Sequence, residues 1–386
     1  MKKILILSHE ATLTGAPIFL LRLIKYLNKT SEYKFLILFK KSGNLLSEFE
    51  NHGEILTLEN LNSNRNLIKR ILIRFLPFHR TRIILYKLKI KFFNPDLIIS
   101  NTIVNSGLLD FVNVENSKLV TIVHEMKGVI HQFDKLKINN SEKIMSKTFR
   151  FIAVSNSVKI DLVKEYKIKV DKIDVIYNNV SINKNPFSNI DVEKWKNNLN
   201  IPKESFIVGS CGSLIWRKGP DVFINIFKEL KQNLNIKNIY FIWQGGDKNS
   251  SWFLDLENEI NKLGFKDQIK IIPQVQNTTH FYNSIDVYIS TSREEPFGLT
   301  ILEAGVYSKP CLAFKGSGGP EEILDNDNGV LIPYGDVKIA AEEIIKLKEH
   351  PKLKNKYSKS INDLVLKISK QDNFLKYKEI IDNFII

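Results

Sequence analysis

The run Ser290-Thr291-Ser292-Arg293-Glu294-Glu295-Pro296-Phe297-Gly298-Leu299-Thr300-Ile301-Leu302-Glu303-Ala304-Gly305 carries carboxylates, a cation and glycines in one stretch. An apolar strand is expected to end at Ser290, with a loop after it and a helix from about Gly298. The first N–H groups of a helix lack internal partners and carry partial positive charge. Glycine at 298 lets a ligand come close to that backbone. The pattern predicts a diphosphate site. Glu303 falls among Leu302, Ala304 and Val306, where a carboxylate needs a hydrogen-bonding partner. Sugar hydroxyls would serve, as would a lysine. Glu295, just outside the helix, would accept from a second sugar ring or else face solvent in a capping loop.

Four further segments also follow a strand, three of them with turns rich in small residues. Gly209-Ser210-Cys211-Gly212-Ser213-Leu214-Ile215-Trp216-Arg217-Lys218-Gly219-Pro220-Asp221 places two cations just before an expected helix. Pro220 suits the first helical position and Asp221 the first turn. Cations beside free N–H donors form an anion pocket, although the glycine spacing is neither a P-loop nor a dinucleotide fingerprint. Ser8-His9-Glu10 with Thr14-Gly15-Ala16-Pro17 follows the first strand, where a small-residue turn admits close approach or simply turns the chain. Thr121-Ile122-Val123-His124-Glu125-Met126 puts a histidine at another strand end, and Gly316-Ser317-Gly318-Gly319-Pro320-Glu321-Glu322 follows a late strand. No Gly-x-Ser-x-Gly elbow or His-Glu-x-x-His motif occurs, and Asp325-Asn326-Asp327 beside Asn328-Gly329 reads as a turn, not a metal clamp.

The elements that must position these residues alternate. Ile4–Leu7, Phe35–Phe39, Leu97–Ser100, Leu119–Val123, Phe151–Ser155 and Ile173–Ile176 read as strands, several of them apolar throughout, with helical runs such as Ile18–Leu27 and Ser157–Tyr166 between. This is the pattern of a parallel sheet covered on both faces. Residues 178–202 are polar and interrupt it, with a short helix expected at Val192–Leu199. Strands then resume at Phe206–Ser210, Ile239–Trp243, Ile269–Ile272, Val287–Ser290, Pro310–Phe314 and Val330–Ile332. A chain of 386 residues suits two domains of roughly 150–200 residues each. Open α/β sheets bind ligands at the carboxyl ends of their strands, so two such sheets would face one another across a cleft.

Composition narrows the class. The chain is 43% hydrophobic and 25% charged, the mix of a globular protein. No apolar run of about 18 residues predicts a transmembrane helix, and the opening residues read as a buried strand, not a signal peptide. Two cysteines make no disulfide framework, so a reducing cytoplasm is expected. Residues 1–180 hold 29 Lys and Arg against 16 Asp and Glu, and the remainder 27 against 26, so nearly all of the net +14 lies in the first half. That asymmetry points to a polyanionic partner. Within it, residues 65–91 hold nine Lys or Arg and no acid, interleaved with aliphatic and aromatic residues and broken at Pro77. The pattern predicts a segment that docks on an anionic membrane, with a solvated pair of helices as the plainer alternative. No nucleic-acid motif is present, and no nucleic-acid partner is expected.

Ser292 to Ala304, with seven residues between Glu295 and Glu303, resembles the signature of glycosyltransferase family 4. Arg217-Lys218-Gly219 is similar to that family's phosphate loop, Asn178-Asn179-Val180 to its Asn-Gly-Val, and Gly318-Gly319-Pro320-Glu321 to its late Gly-Gly-x-x-Glu. The resemblance runs from about residue 1 to 345. It implies the GT-B fold: two tandem Rossmann-like α/β domains around a cleft, with a last helix crossing back. The expected divisions are 1–182 for the acceptor, 183–365 for the donor and 366–386 for the returning helix. It further implies a retaining, metal-independent hexosyltransferase that uses a nucleotide-sugar donor and needs no cofactor. By position, Glu295 would contact the donor sugar, and Phe297, Gly298 and Leu299 would offer N–H groups to sugar and phosphate. Glu303 would hold the ribose and Lys218 the diphosphate, with Arg217 as a second cation. Backbone near Gln274 and Val275 would meet the base. His124 would sit near the reacting centre, and Gly15 and Ala16 would pass close to the diphosphate. This chain departs from the pattern at Ser213, where many members have arginine, at Glu125, where many have aspartate, and at Gly15-Ala16 in place of a glycine pair.

The expected role is transfer to a glycan or lipid-linked acceptor in bacterial surface polysaccharide synthesis, at the cytoplasmic face of the membrane. Two other readings fit parts of the sequence. A nucleotide-sugar 2-epimerase of the same fold would convert donor without an acceptor. A non-catalytic binding protein for a nucleotide sugar or nucleic acid would bind without releasing nucleoside diphosphate.

Overall fold

The computed structural model describes residues 1–59, 78–113, 117–180, 182, 188–234, 236–275 and 277–385, and of residues 78–82, 189 and 233 the backbone only. The chain divides into two units, one of Met1–Asn178 with Asp372–Ile386 and the other of Asn179–Gln371.

Among the described residues the first unit is built on seven parallel strands: β1 (Lys2–Ser8), β2 (Tyr33–Phe39), β3 (Glu54–Thr57), β4 (Leu97–Ser100), β5 (Lys118–Val123), β6 (Arg150–Ala153) and β7 (Ile173–Val175). Their order is β3-β2-β1-β4-β5-β6-β7. Ile4 pairs with Phe35 on one side and Leu97 on the other, and Ile4 to Leu7 are 1% exposed or less. That burial explains why β1 is apolar without alternation, since helices cover both faces of a doubly wound sheet. The order reverses between β1 and β4, so the loops after these two strands diverge and leave room at their carboxyl ends.

Helix Gly15–Thr30 buries Phe19, Leu20, Leu23, Ile24 and Leu27, the 3.6-residue stripe expected of an amphipathic helix. The helix Asn373–Phe384 packs on it. Phe374 lies 5.9 Å from Phe19 and 5.5 Å from Tyr26 between ring centroids, and Tyr377 lies 5.2 Å from Phe19. Tyr33 donates to Asp382 at 2.7 Å, and Tyr26 to Asp372 at 2.7 Å. The returning helix is thus shorter than the expected 366–386. Residues 366–369 instead end the helix Pro351–Ser369, which stays with the second unit because Ile361 and Val365 close on Gly305. A Cβ at Gly305 would meet Val365 at 2.7 Å and Ile361 at 2.9 Å, and Asn362 donates to the Gly305 carbonyl at 2.9 Å.

The second unit has, among the described residues, six parallel strands: β8 (Phe206–Cys211), β9 (Ile239–Gly246), β10 (Ile269–Pro273), β11 (Val287–Ser290), β12 (Cys311–Phe314) and β13 (Val330–Ile332). Their order is β10-β9-β8-β11-β12-β13, so the reversal lies between β8 and β11. Its core is aromatic. Phe223 lies 4.6 Å and Phe227 5.1 Å from Phe241, and Trp243 stands edge-on to Phe223. Phe227 is fully buried, and truncating such a side chain to alanine typically costs about 3–5 kcal/mol. The helix expected at Val192–Leu199 spans Asn189–Asn198, begun by a Ser188–Asp191 capping box. Among the described residues no helix is long and apolar enough to cross a membrane.

Candidate active site

In the second unit the loops after β8 and β11 are stitched together. Gly219, at φ +69°, ends a single turn over Trp216–Lys218 and starts the helix Pro220–Lys228. Thr291 donates its hydroxyl to the carbonyls of Lys218 and Gly219, at 3.1 and 2.9 Å. A Cβ on Gly219 would lie 2.1 Å from the Thr291 carbonyl oxygen, so this crossing requires glycine. The Arg293 amide donates to the Arg217 carbonyl at 2.7 Å, and the Arg217 guanidinium returns to the Glu294 carbonyl at 2.8 Å. Arg293 grips Asp221 with both guanidinium ends, at 2.9 and 2.6 Å, and stacks over Trp216 at 4.9 Å.

That framework brings the half-buried Lys218 and the buried Glu295 into an ion pair. Burial pushes the Glu295 carboxyl up. The charges of Lys218 and Arg217, with hydrogen bonds from Lys218 and Ser292, more than offset this and hold it below its ordinary value. Ser292 donates to the same carboxylate oxygen at 3.2 Å. Glu295 is therefore neither solvent-facing nor part of a simple cap. Its backbone is fixed by the Gly316–Gly319 loop: its amide donates to the Ser317 carbonyl at 2.7 Å, and Gly319 donates to its carbonyl at 2.8 Å. A Cβ on Gly319 would strike Phe297 Cα at 2.4 Å.

Phe297 is buried, and Gly298, at φ +101°, caps the helix Leu299–Val306. The N–H groups expected to face a ligand thus stand at a true helix start. Glu303 accepts from the Tyr282 hydroxyl at 2.9 Å, a tyrosine where a lysine or a sugar was the expectation. Tyr282 stacks on Tyr307 at 5.5 Å and 13°. Burial, aided by the charge of Glu303, pushes the neighbouring Cys211 thiol up to about 12. Gln274 and Val275 lie exposed just beyond β10, with the Gln274 amide donating to the Gly246 carbonyl at 3.3 Å.

The first unit gathers a second group at the ends of β1, β4 and β5. Glu10 accepts from Thr12 at 2.8 Å and Thr14 at 3.1 Å and lies 3.4 Å from His9. The bond from His9 first, then the two hydroxyls, bring its carboxyl down to about 2 against the opposing effect of burial. Gly15 is exposed, and Asn101 donates to the Ala16 carbonyl at 2.9 Å. His124 is half-buried, with Nε2 3.3 Å from Asn101 Oδ1 and its ring edge-on to Phe19 at 5.1 Å. Burial, then the field of His9, pushes its imidazole down to about 3, so the ring is neutral at physiological pH. Glu125 turns back to accept from Thr102, from the Ile103 amide at 3.3 Å and from the His124 amide at 3.1 Å. Its carboxyl is raised by burial despite these bonds.

Sequence reasoning missed Asn101, Tyr282 and the Arg293–Asp221 clasp. Arg293 stands inside the run first singled out, and only its partner was unforeseen. No local signal marks Asn101 or Tyr282. Among the described residues no three His, Cys, Asp or Glu side chains come together as metal ligands.

Residues 14–184 match the family model described as Glycosyltransferase Family 4, and residues 191–363 that described as Glycosyl transferases group 1. The chain is 25% identical over 207 residues to the capsular polysaccharide biosynthesis glycosyltransferase CapM of Staphylococcus aureus, covering 51% of each chain. It is 30% identical over 145 residues to the O-antigen biosynthesis glycosyltransferase WclY of Escherichia coli, covering 36% of this chain and 37% of that one. The chain spans about half the length, or less, of these curated relatives. Its fold is similar to that of Anabaena Alr3699/HepE, solved in complex with UDP and glucose, with a TM-score of 0.78 at 20% identity over 99% of this chain and 100% of that one. Two parallel α/β sheets, a returning helix and these matches agree: the chain has the GT-B fold and belongs to glycosyltransferase family 4.

Proposed function

We propose that this protein is a retaining glycosyltransferase that moves a sugar from a nucleotide-sugar donor to a glycan or lipid-linked acceptor in bacterial surface polysaccharide synthesis. The largely buried Lys218–Glu295 pair at the reversal of the second sheet carries this reading. Lys218 has three N–H donors and Glu295 about four acceptor positions, so the pair keeps capacity for a phosphate on one side and sugar hydroxyls on the other. As the sugar–phosphate bond breaks, negative charge grows on the leaving nucleoside diphosphate. Lys218, Arg217 and the N–H groups at Phe297, Gly298 and Leu299 are fixed donors for that charge and need no reorganisation to stabilise it. In this reading they take the part a divalent ion would otherwise play, and no metal is required.

Glu303, oriented by Tyr282, is assigned to the ribose hydroxyls, and the backbone at Gln274 and Val275 to the base. Gly15 and Ala16 are assigned to the diphosphate and His124 to the reacting sugar. The acceptor proton passes to the leaving phosphate on the same face of the sugar, which gives retention. HepE in complex with UDP and glucose, and the capsule and O-antigen roles in the names of CapM and WclY, support the donor class and the setting.

The proposal includes docking on an anionic membrane at the cytoplasmic face through residues 65–91. Residues 65–77 lie outside the described residues. Beyond them the helix Phe78–Phe93 buries Ile90 and Phe93 and exposes Ile84, Leu85, Leu88 and Phe92 beside Lys87 and Lys91, which supports an interfacial role.

A thermal-shift screen with UDP-, GDP- and other nucleotide sugars tests the donor. A ligand at 100 times its dissociation constant stabilises by about 2.7 kcal/mol. The stabilising donor is then incubated with lipid-linked acceptors in EDTA, and the product anomer is read by NMR. A retained anomer with release of nucleoside diphosphate is expected. An inverted anomer, turnover that appears only with added magnesium or manganese, or donor conversion without acceptor would each overturn the corresponding part.

A further inference from the structure

Asn101 is fully buried just past the end of β4. Its Nδ2 donates to the Ala16 carbonyl at 2.9 Å, and its Oδ1 lies 3.3 Å from His124 Nε2. The first bond decides the second. A carbonyl can only accept, so the amide end that faces Ala16 is the NH2, and the end that faces the imidazole is the oxygen. That oxygen can also only accept, so the proton of the neutral ring must sit on Nε2. A neutral imidazole carries one N–H and one lone pair, which leaves the lone pair on Nδ1.

We infer that Asn101 sets the tautomer of His124, with Nε2 protonated and Nδ1 the acceptor, and ties that choice to the Gly15-Ala16 turn. Phe19 meets the ring edge-on at 5.1 Å and restrains its turning over, and Glu125 accepts the His124 backbone N–H at 3.1 Å, which fixes the strand end that carries the side chain. The groups beside it that carry or exchange charge are Glu125 and His9, the latter 3.4 Å from Glu10.

The chemical consequence is directional. Toward a substrate hydroxyl the ring accepts a hydrogen bond through Nδ1 and does not donate one. Asn101 is then a positioning residue, acting through His124, and which nitrogen carries the proton is a recognised determinant of histidine's role. The same amide holds the Ala16 backbone, so the turn and the ring are set together. This inference rests on the reading that places His124 at the reacting sugar.

The test is long-range ¹H–¹⁵N correlation spectroscopy on the full chain labelled at histidine, with His124→Gln to assign the signals. The wild-type chain is expected to show the Nε2–H pattern at His124. Asn101→Ala should lose that bias, with kcat falling on the order of tenfold or more, because a mis-set tautomer disables a histidine, and the donor KM changing less than about threefold. Asn101→Asp keeps an oxygen toward Nε2 while opposing the Ala16 carbonyl, and should keep the tautomer. An Nδ1–H pattern in the wild-type chain refutes the inference without any variant. An unchanged tautomer in folded Asn101→Ala refutes it too. A shifted tautomer with wild-type turnover leaves Asn101's control standing and removes His124 from the reacting sugar.

Discussion

Replacing Lys218 with methionine keeps most of the side-chain stem and removes the ammonium from beside Glu295. The two side chains are only 15% and 10% exposed, so the remaining carboxylate is left buried. Removing one member of a buried ion pair typically costs about 3–5 kcal/mol, largely because the other charge is stranded. Ser292 and the field of Arg217 still serve Glu295, which places the expected loss near 3 kcal/mol. Adding Glu295→Gln removes the stranded charge and should restore about 2 kcal/mol of that, since contacting groups couple by roughly 0.5–3 kcal/mol. Activity should not return with stability. A hydrogen bond to a charged group is worth about 1.5–3 kcal/mol, so kcat/KM for the donor should fall about 10- to 150-fold in both variants. All four tryptophans, Trp195, Trp216, Trp243 and Trp252, lie in the second unit, so denaturant unfolding followed by tryptophan fluorescence reports that unit alone. The pH dependence has a definite sign. In the wild-type chain the lowered Glu295 pKa contributes stability that is present above its unfolded value and lost as pH falls through the folded one. With Lys218 gone, burial prevails and the carboxyl binds its proton more tightly when folded, so the deficit should be larger at pH 8 than at pH 5. Additive effects of the two substitutions, or wild-type donor kinetics for Lys218→Met, would refute this account of the pair.

Glu10→Gln should flatten the acid limb of thermal stability between about pH 4.5 and 2, because the carboxyl titrates near 2 when folded and that stabilisation is lost only on protonation; an unchanged Tm–pH curve would count against the His9–Glu10–Thr cluster. Gly219→Ala should destabilise the second unit by more than about 1 kcal/mol, since it combines a left-handed φ with a backbone collision, and should weaken donor binding in the thermal-shift assay; wild-type values in both would contradict the crossing of the two loops. Co-sedimentation with anionic vesicles at low salt should be strong, fall at high salt, and fall again in Leu85→Asp with Phe92→Asp; equal binding to neutral and anionic vesicles would dismiss the membrane face.

The alternation of strands was open to sequence reading where the strands are apolar enough to be buried on two sides; the edge strand Glu54–Thr57, with Glu54 exposed, was not foreseen. Ile4–Leu7 and Val287–Ser290 needed no partner to be recognised. The loops of the candidate site were equally visible, since Gly219, Pro220 and Gly298 each punctuate the chain in a way that backbone sterics dictate. What the loops do to one another was not. Lys218 meets Glu295, and Asp221 meets Arg293, because β8 lies beside β11 in the sheet, and strand order leaves no trace in local periodicity. Tyr282 reaches Glu303 because the helices before and after β11 meet, which local periodicity does not show either. Asn101 looks like any polar residue after a strand until the reversal between β1 and β4 sets it against Ala16. The end of the chain misled for a different reason. Ile361 and Val365 repeat with the same helical period as Tyr377 and Ile381, and the break between the two helices, at Gln371 and Asp372, has neither proline nor glycine to announce it.

The return of Asp372–Ile386 to the first unit governs how the protein is made. The second unit is one continuous stretch, Asn179–Gln371, set into the first as an insertion. On the ribosome the segment up to Asn178 emerges first, yet its sheet lacks the helix that covers Phe19 and supplies the Asp382 carboxylate to Tyr33. The inserted unit, made later, has all of its own residues before that helix exists. Domains generally complete as units during synthesis, so the part begun first is the one that must wait, with an apolar groove along Phe19 and Tyr26 uncovered for the time needed to translate nearly two hundred residues. A nascent chain that has cleared the ribosome as far as Gln371, but not yet through Asp372–Ile386, would hold a closed second unit and an open first one, the state in which a chaperone that binds exposed apolar surface would find its target.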